Sequence, residues 1–127
     1  MNKIAELEIH HPDGRCETHE LDLPLYTLGR GQHNSFRLIG DTAISLVHLS
    51  LKRIRTEYRD FYRIIDGKLD MRFLSQNGVY LNRCRIQYSA DLRHNDEIRI
   101  GSNSWMIYRD DFERESREDD TMDLEDS

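Results

Sequence analysis

The chain has 127 residues, 37% of them hydrophobic and 33% charged, a length that suits one domain around a single core. Its net charge of −6 is unevenly spread: residues 110–127 carry ten acidic side chains and two arginines, whereas residues 1–109 carry 14 acidic and 16 basic side chains. A slightly basic body with an acidic tail lacks the cationic density of a nucleic-acid binder, and the absence of any run of 18 apolar residues excludes a transmembrane helix, so neither nucleic acid nor membrane is expected as a partner.

The start, Met1-Asn2-Lys3-Ile4-Ala5-Glu6, lacks the basic-then-apolar order of a secretory signal. Ala5, Leu7 and Ile9 then alternate with Glu6 and Glu8, a period of two that reads as a strand. His11-Pro12-Asp13-Gly14 reads as a turn, and Arg15 to Leu21 as the returning strand of a hairpin. The two cysteines, Cys16 and Cys84, are isolated and read as free thiols in a reducing, cytoplasmic compartment, with a single disulfide left open. Short apolar runs follow at Leu23 to Leu28, ending at Gly29, and at Phe36 to Ile39, ending at Gly40-Asp41.

His48 to Arg55 starts as strict alternation through Leu49 and Leu51, then slips by one near Arg53, which suggests a bulge. Tyr58 to Ile65 is rich in aromatic and β-branched residues and stops at Asp66-Gly67. A helix through residues 45–65 is the rival reading; the alternation and the strand-favouring Thr56, Tyr58, Phe61, Ile64 and Ile65 weigh against it. Val79 to Leu81, Glu97 to Ile100 and Trp105 to Tyr108 complete a set of short strands. Turn signals recur so regularly that an all-β sandwich is expected over residues 1–109. From Asp110 the chain is polar and charged, with too little apolar surface to offset ordering entropy, so disorder is expected over 110–127.

Four polar motifs fall at strand ends: Gly29-Arg30, Ser45-Leu46-Val47-His48, Asn77-Gly78 and Asn82-Arg83. An arginine, a hydroxyl and an amide gathered at one end of a sandwich suit a phosphate and the peptide backbone carrying it. In their order and spacing, Leu28-Gly29-Arg30, Ser45-x-x-His48 and Ser75-Gln76-Asn77-Gly78-Val79-Tyr80-Leu81-Asn82 resemble the forkhead-associated (FHA) domain. The resemblance spans about residues 5–108. It implies a sandwich of about eleven strands whose loops bind phosphothreonine peptides.

The resemblance further implies roles for particular residues. Arg30 would be the phosphate arginine, with forked donors suited to an oxyanion. Ser45 would bond the phosphate through its hydroxyl. Asn77 would hold the peptide main chain through an amide that both donates and accepts. Gly29, His48, Gly78 and Asn82 would brace the loops and the following hairpin. Two neighbours depart from the pattern: Leu46 stands where the family usually has a basic or polar residue, and Gln76 where it usually has a threonine or serine that also touches phosphate. A charged hydrogen bond is worth roughly 1.5–3 kcal/mol, so these departures lower the expected affinity unless Gln76, Arg37, Lys52 or Arg72 compensates.

The expected function is thus a phosphothreonine-peptide-binding adaptor that recognises a kinase-modified protein, a Ser/Thr kinase or its substrate. Its competitor is an FHA-like scaffold that binds a partner without regard to phosphorylation. Thr121, followed by Leu124 three residues later, is a candidate phosphosite; phosphorylation adds about −1.5 to −2 charge and would let the tail dock within the chain or on a neighbour. No catalytic residue, metal or cofactor is expected. Asp41, Ser45 and His48 lie close in sequence, but proximity does not define a triad. His10, His11 and His19 match no familiar metal spacing, and no phosphate loop is present.

Overall fold

The computed structural model describes residues 4–69 and 74–110. Among them there is no helix and there are eleven strands. They are β1 (Ala5–His10), β2 (Cys16–Leu21), β3 (Leu25–Gly29), β4 (Phe36–Arg37), β5 (Leu49–Arg55) and β6 (Asp60–Asp66), followed by β7 (Tyr80–Leu81), β8 (Cys84–Arg85), β9 (Ser89–Asp91), β10 (Asp96–Ile100) and β11 (Ser104–Arg109). They form a six-stranded sheet in the order β2-β1-β11-β10-β7-β8 and a five-stranded sheet in the order β4-β3-β5-β6-β9. Among the strand pairs, β3 with β4 is parallel.

The alternation read in β1 fixes the packing. Ala5, Leu7 and Ile9 are buried, while Glu6, Glu8 and His10 lie on the outer face. The six-stranded sheet adds Leu21, Ile98, Ile100, Met106 and Tyr108 to the core, and the five-stranded sheet adds Tyr26, Leu28, Leu49, Leu51, Tyr62 and Ile64. Tyr108 spans the two sheets: its ring meets Tyr62 edge-on at 6.4 Å, and its hydroxyl accepts the Tyr62 backbone N–H at 3.0 Å. Leu38, Ile44, Val79 and Leu92 come from the connections, so the loops are anchored by the same core that holds the sheets.

Residues 45–65 hold no helix: a loop leads into β5, and a short turn joins β5 to β6. The slip near Arg53 is no bulge: β5 and β6 pair without interruption from Leu49↔Asp66 to Arg55↔Asp60. Ile54 instead faces outward opposite Phe61, over which the Arg59 guanidinium lies at 4.1 Å. Arg53, half-buried, takes the next inner position after Leu49 and Leu51, with Nε and Nη2 on the Asp60 carboxylate at 2.9 and 2.7 Å. Strands β8 and β9 have no counterpart among the runs read from sequence. Both cysteines are unpaired and exposed. The acidic tail beyond Asp110, with Thr121, lies outside the described residues, as does Arg72.

Candidate functional site

The loops after β3, β4 and β6 converge on residues 43–46. Beyond the end of β3, Arg30 N–H donates to the Ser45 carbonyl at 3.0 Å and Gly31 N–H to the Leu46 carbonyl at 3.1 Å, while His48 N–H donates back to Leu28 at 2.8 Å. These bonds run the two backbones side by side so closely that a side chain at residue 29 has no room. A Cβ on Gly29 would collide with the Leu46 carbonyl and come within 2.9 Å of His48 N. The glycine of the Gly-Arg dipeptide is therefore a steric requirement here rather than a turn conformation.

Arg30 turns its Nε onto the Ile44 carbonyl at 2.9 Å, which holds the guanidinium beside Ser45. Arg37 donates from Nε to the Arg30 carbonyl at 2.9 Å. The Ser45 hydroxyl oxygen accepts the Gln76 N–H at 3.0 Å, an arrangement that leaves the hydroxyl proton to donate elsewhere. The Asn77 amide Nδ2 donates to the Ala43 carbonyl at 2.9 Å, and its Oδ1 is the acceptor end of the same group. Arg30, Ser45, Gln76 and Asn77 are thus brought to one short segment. Leu46 sits among them with its backbone carbonyl engaged, yet the residue is 59% exposed. A groove of about 960 Å³ starts at Arg30, Ser45 and Gln76 and continues over apolar surface from Leu25, Leu46, Leu69 and Leu74.

His48 is fully buried and ties two of these loops together. Its Nδ1 accepts the Ser45 N–H at 3.0 Å, and its Nε2 donates to the Gly78 carbonyl at 2.7 Å. That bonding fits the neutral ring, and burial lowers its pKa against opposing contributions from the Gly78 carbonyl, Asp66 and Asp41. Gly78 has a φ of +86°, and a Cβ there would meet the Arg85 guanidinium at 2.5 Å. Asn82 and Arg83, with φ of 50° and 73°, make the two-residue β7–β8 turn. The Asn82 side chain donates to Asp96 at 2.9 Å and accepts from Glu97 N–H at 2.9 Å.

Three groups of residues support the site in roles that were not read from sequence. Asp41 accepts N–H groups from Ala43 at 3.0 Å, Ser102 at 2.7 Å and Asn103 at 3.2 Å, pinning the Ser45 loop to the β10–β11 turn. Burial works against its ionisation, but the donated N–H bonds outweigh burial and its pKa is lowered. Asp66 accepts Ser75 N–H at 2.8 Å, and Ser75 Oγ accepts Gly78 N–H at 3.0 Å, so a buried relay shapes the loop before Asn77. Asn34 Nδ2 donates to the carbonyls of Gly31 and Leu46 at 2.8 and 2.7 Å. Gly40-Asp41 and Asp66-Gly67 carry turn signals, but nothing local reveals their distant partners. Asp41, Ser45 and His48 do not form a relay, because His48 Nδ1 bonds the Ser45 backbone and Asp41 is occupied by backbone N–H groups.

The FHA domain family model matches residues 26–101, and the chain belongs to that family. Among solved structures it is similar to the Slr1951 protein from Synechocystis sp., at 27% identity and a TM-score of 0.74, over 83% of this chain and 96% of that one. It is also similar to an FHA domain solved in work on phosphothreonine-dependent FHA domain interactions, at 27% identity and a TM-score of 0.61, over 83% of this chain and 94% of that one. The FhaA FHA domain, complexed with the intracellular domain of Rv3910, matches at 27% identity and a TM-score of 0.61, over 83% and 99%. No curated protein sequence matches the chain.

Proposed function

We propose that this FHA domain, residues 1–109, is a phosphothreonine-peptide-binding module, with Arg30 and Ser45 on the phosphate and Asn77 on the peptide main chain. The observation that carries the reading is the convergence of Arg30, Ser45, Gln76 and Asn77 on residues 43–46. A phosphate beside the Arg30 guanidinium takes charge-assisted bonds from it and a donated proton from the Ser45 hydroxyl. The Asn77 Oδ1 accepts a peptide N–H. The groove toward Leu25, Leu46 and Leu74 accommodates apolar side chains of the same peptide. On this reading the protein is a binding module rather than an enzyme, an adaptor in the cytoplasm for a protein modified by a Ser/Thr kinase.

Titration of the full chain with phosphothreonine peptides and their unmodified forms tests the reading. Phosphorylated peptides bind more tightly, and Arg30→Ala weakens them by roughly tenfold to a hundredfold, the loss of one or more charged hydrogen bonds. Indifference to both phosphorylation and the substitution favours the second reading, a scaffold that binds through the groove independently of phosphate. The exposure of Leu46 and the apolar extent of the groove favour that alternative.

Self-association through phosphorylated Thr121 extends the first reading. The sequence places Leu124 three residues after Thr121, an apolar residue for the groove. A peptide of residues 116–127 carrying phosphothreonine should bind at Arg30 and Ser45. Equal binding of the modified and unmodified peptides removes self-recognition from the proposal.

A further inference from the structure

The outer face of the β1–β2 hairpin carries a second group of chemically capable side chains, outside the proposed phosphate site. Glu8 and His10 are two residues apart on β1 and share a face, and Cys16 lies directly across from His10 in the antiparallel register. One oxygen of Glu8, one ring nitrogen of His10 and Cys16 Sγ all lie within 4.8 Å of one another. Glu8 Oε2 is 2.5 Å and Cys16 Sγ 3.8 Å from the same ring nitrogen, His10 Nε2. A nucleophilic relay would use the two nitrogens of the ring for its two partners. Convergence on one nitrogen is instead the arrangement of donors around a common centre.

We propose that Glu8, His10 and Cys16 form a surface site for a zinc ion. Carboxylate, imidazole and thiolate are all zinc ligands, and their combination of hard and borderline-soft donors disfavours magnesium and calcium. In a tetrahedron with nitrogen at about 2.1 Å and sulfur at about 2.3 Å, those two ligands stand roughly 3.6 Å apart. The 3.8 Å between His10 Nε2 and Cys16 Sγ nearly matches that edge. The Glu8–His10 contact opens to roughly 3.3 Å when the ion takes the place of the shared proton, a small rotation for a partly exposed carboxylate. Binding releases the thiol proton, and the imidazole coordinates in its neutral form.

The surroundings hold the ligands without blocking them. Arg109 Nη2 binds the other Glu8 oxygen, Oε1, at 2.8 Å and leaves Oε2 for the ion. The His10 ring stacks on Trp105 at 3.6 Å with 5° between the planes, which fixes the ring while its in-plane lone pair stays clear. Cys16 is exposed, so the ion has a path in. Three protein ligands leave the fourth position to water or to a donor from a bound partner.

The test uses the full chain, reduced and stripped with chelator. Cobalt(II), which takes zinc's place in such sites, should give tetrahedral ligand-field bands and a near-ultraviolet thiolate-to-cobalt band at one equivalent, and zinc should displace it. Cys16→Ser should abolish the thiolate band and weaken zinc binding about tenfold or more, His10→Gln should weaken zinc to a similar degree, and Cys84→Ser should change neither. Circular dichroism of each variant establishes that the sandwich is intact. Absence of the thiolate band in the wild type overturns the proposal. So does zinc binding unchanged by both Cys16→Ser and His10→Gln, which would place the ion on the tail carboxylates or on His11 and His19.

Discussion

His48 and Gly78, 30 residues apart, share a buried hydrogen bond of 2.7 Å that ties the loop holding Ser45 to the loop holding Asn77. The ring can make it while accepting the Ser45 N–H only in its neutral form. Burial lowers the His48 pKa below its ordinary value of about 6.5. The unfolded chain therefore takes up the proton first. The stability contributed by His48 is complete above about pH 6.5 and declines as pH falls below that value toward the folded pKa. Urea midpoints should fall between about pH 7.5 and pH 5.5, and the fall should be smaller in His48→Gln. That variant should also be less stable at neutral pH by about 1–3 kcal/mol, through loss of its place in the buried network. A constant difference between the two proteins across that range contradicts the assignment.

Gly29→Ala should destabilise the fold by about 1–3 kcal/mol, because the new Cβ displaces the Leu46 carbonyl and His48 backbone. Gly29 has no positive φ, so the cost is steric. At Gly31 the corresponding Cβ would stand 3.1 Å from the same carbonyl, and Gly31→Ala should cost less. Chemical denaturation of the two variants checks the order. Phosphopeptide affinity should fall with stability in Gly29→Ala, since Ser45 moves with Leu46.

The sequence exposes those parts of the fold whose cause is local. Alternation in β1 is visible because each residue's face is set by its neighbours, and the Gly-Arg, Ser-x-x-His and Asn-Gly motifs are visible because their spacing is linear. Strands β8 and β9 are not, since two or three residues carry no period and exist through pairing with Tyr80–Leu81 and Arg63–Ile65. The supports of the site are hidden for the same reason. Asp41 meets Ser102 across 61 positions, and Asp66 reaches Ser75 around the β6–β7 loop. Arg53 shows the converse error: its polarity suggested a break in pattern, yet the ladder continues because Asp60 pairs its charge at an inner position.

Asp41→Asn should loosen the Ser45 loop from the β10–β11 turn. The carboxylate holds three backbone N–H groups, and their bonds keep its pKa below the ordinary value of about 3.8 despite burial. Its contribution is therefore present above the unfolded pKa and is lost as pH falls through the folded one. The amide keeps a single acceptor oxygen, so stability near neutral pH should drop by about 1–3 kcal/mol. Amide hydrogen exchange at Ser102 and Asn103 should accelerate in the variant. Unchanged exchange there means that the turn is held by its own geometry.

Leu46→Lys should tighten phosphopeptide binding. The Leu46 side chain is exposed beside Ser45, so a lysine there reaches solvent next to the proposed phosphate position at little cost to folding. One added charge about 4 Å from a phosphate in a solvated groove is worth roughly 1 kcal/mol, or about fivefold in affinity. The gain should shrink as salt is raised, because exposed charges are screened. Leu46→Met, which preserves size and apolarity, should bind like the wild type. Gln76→Thr should add a hydroxyl at the same place while keeping the backbone N–H that donates to Ser45. If Leu46→Lys instead tightens phosphorylated and unmodified peptides equally, the added charge is far from any phosphate, and the groove reads apolar side chains alone.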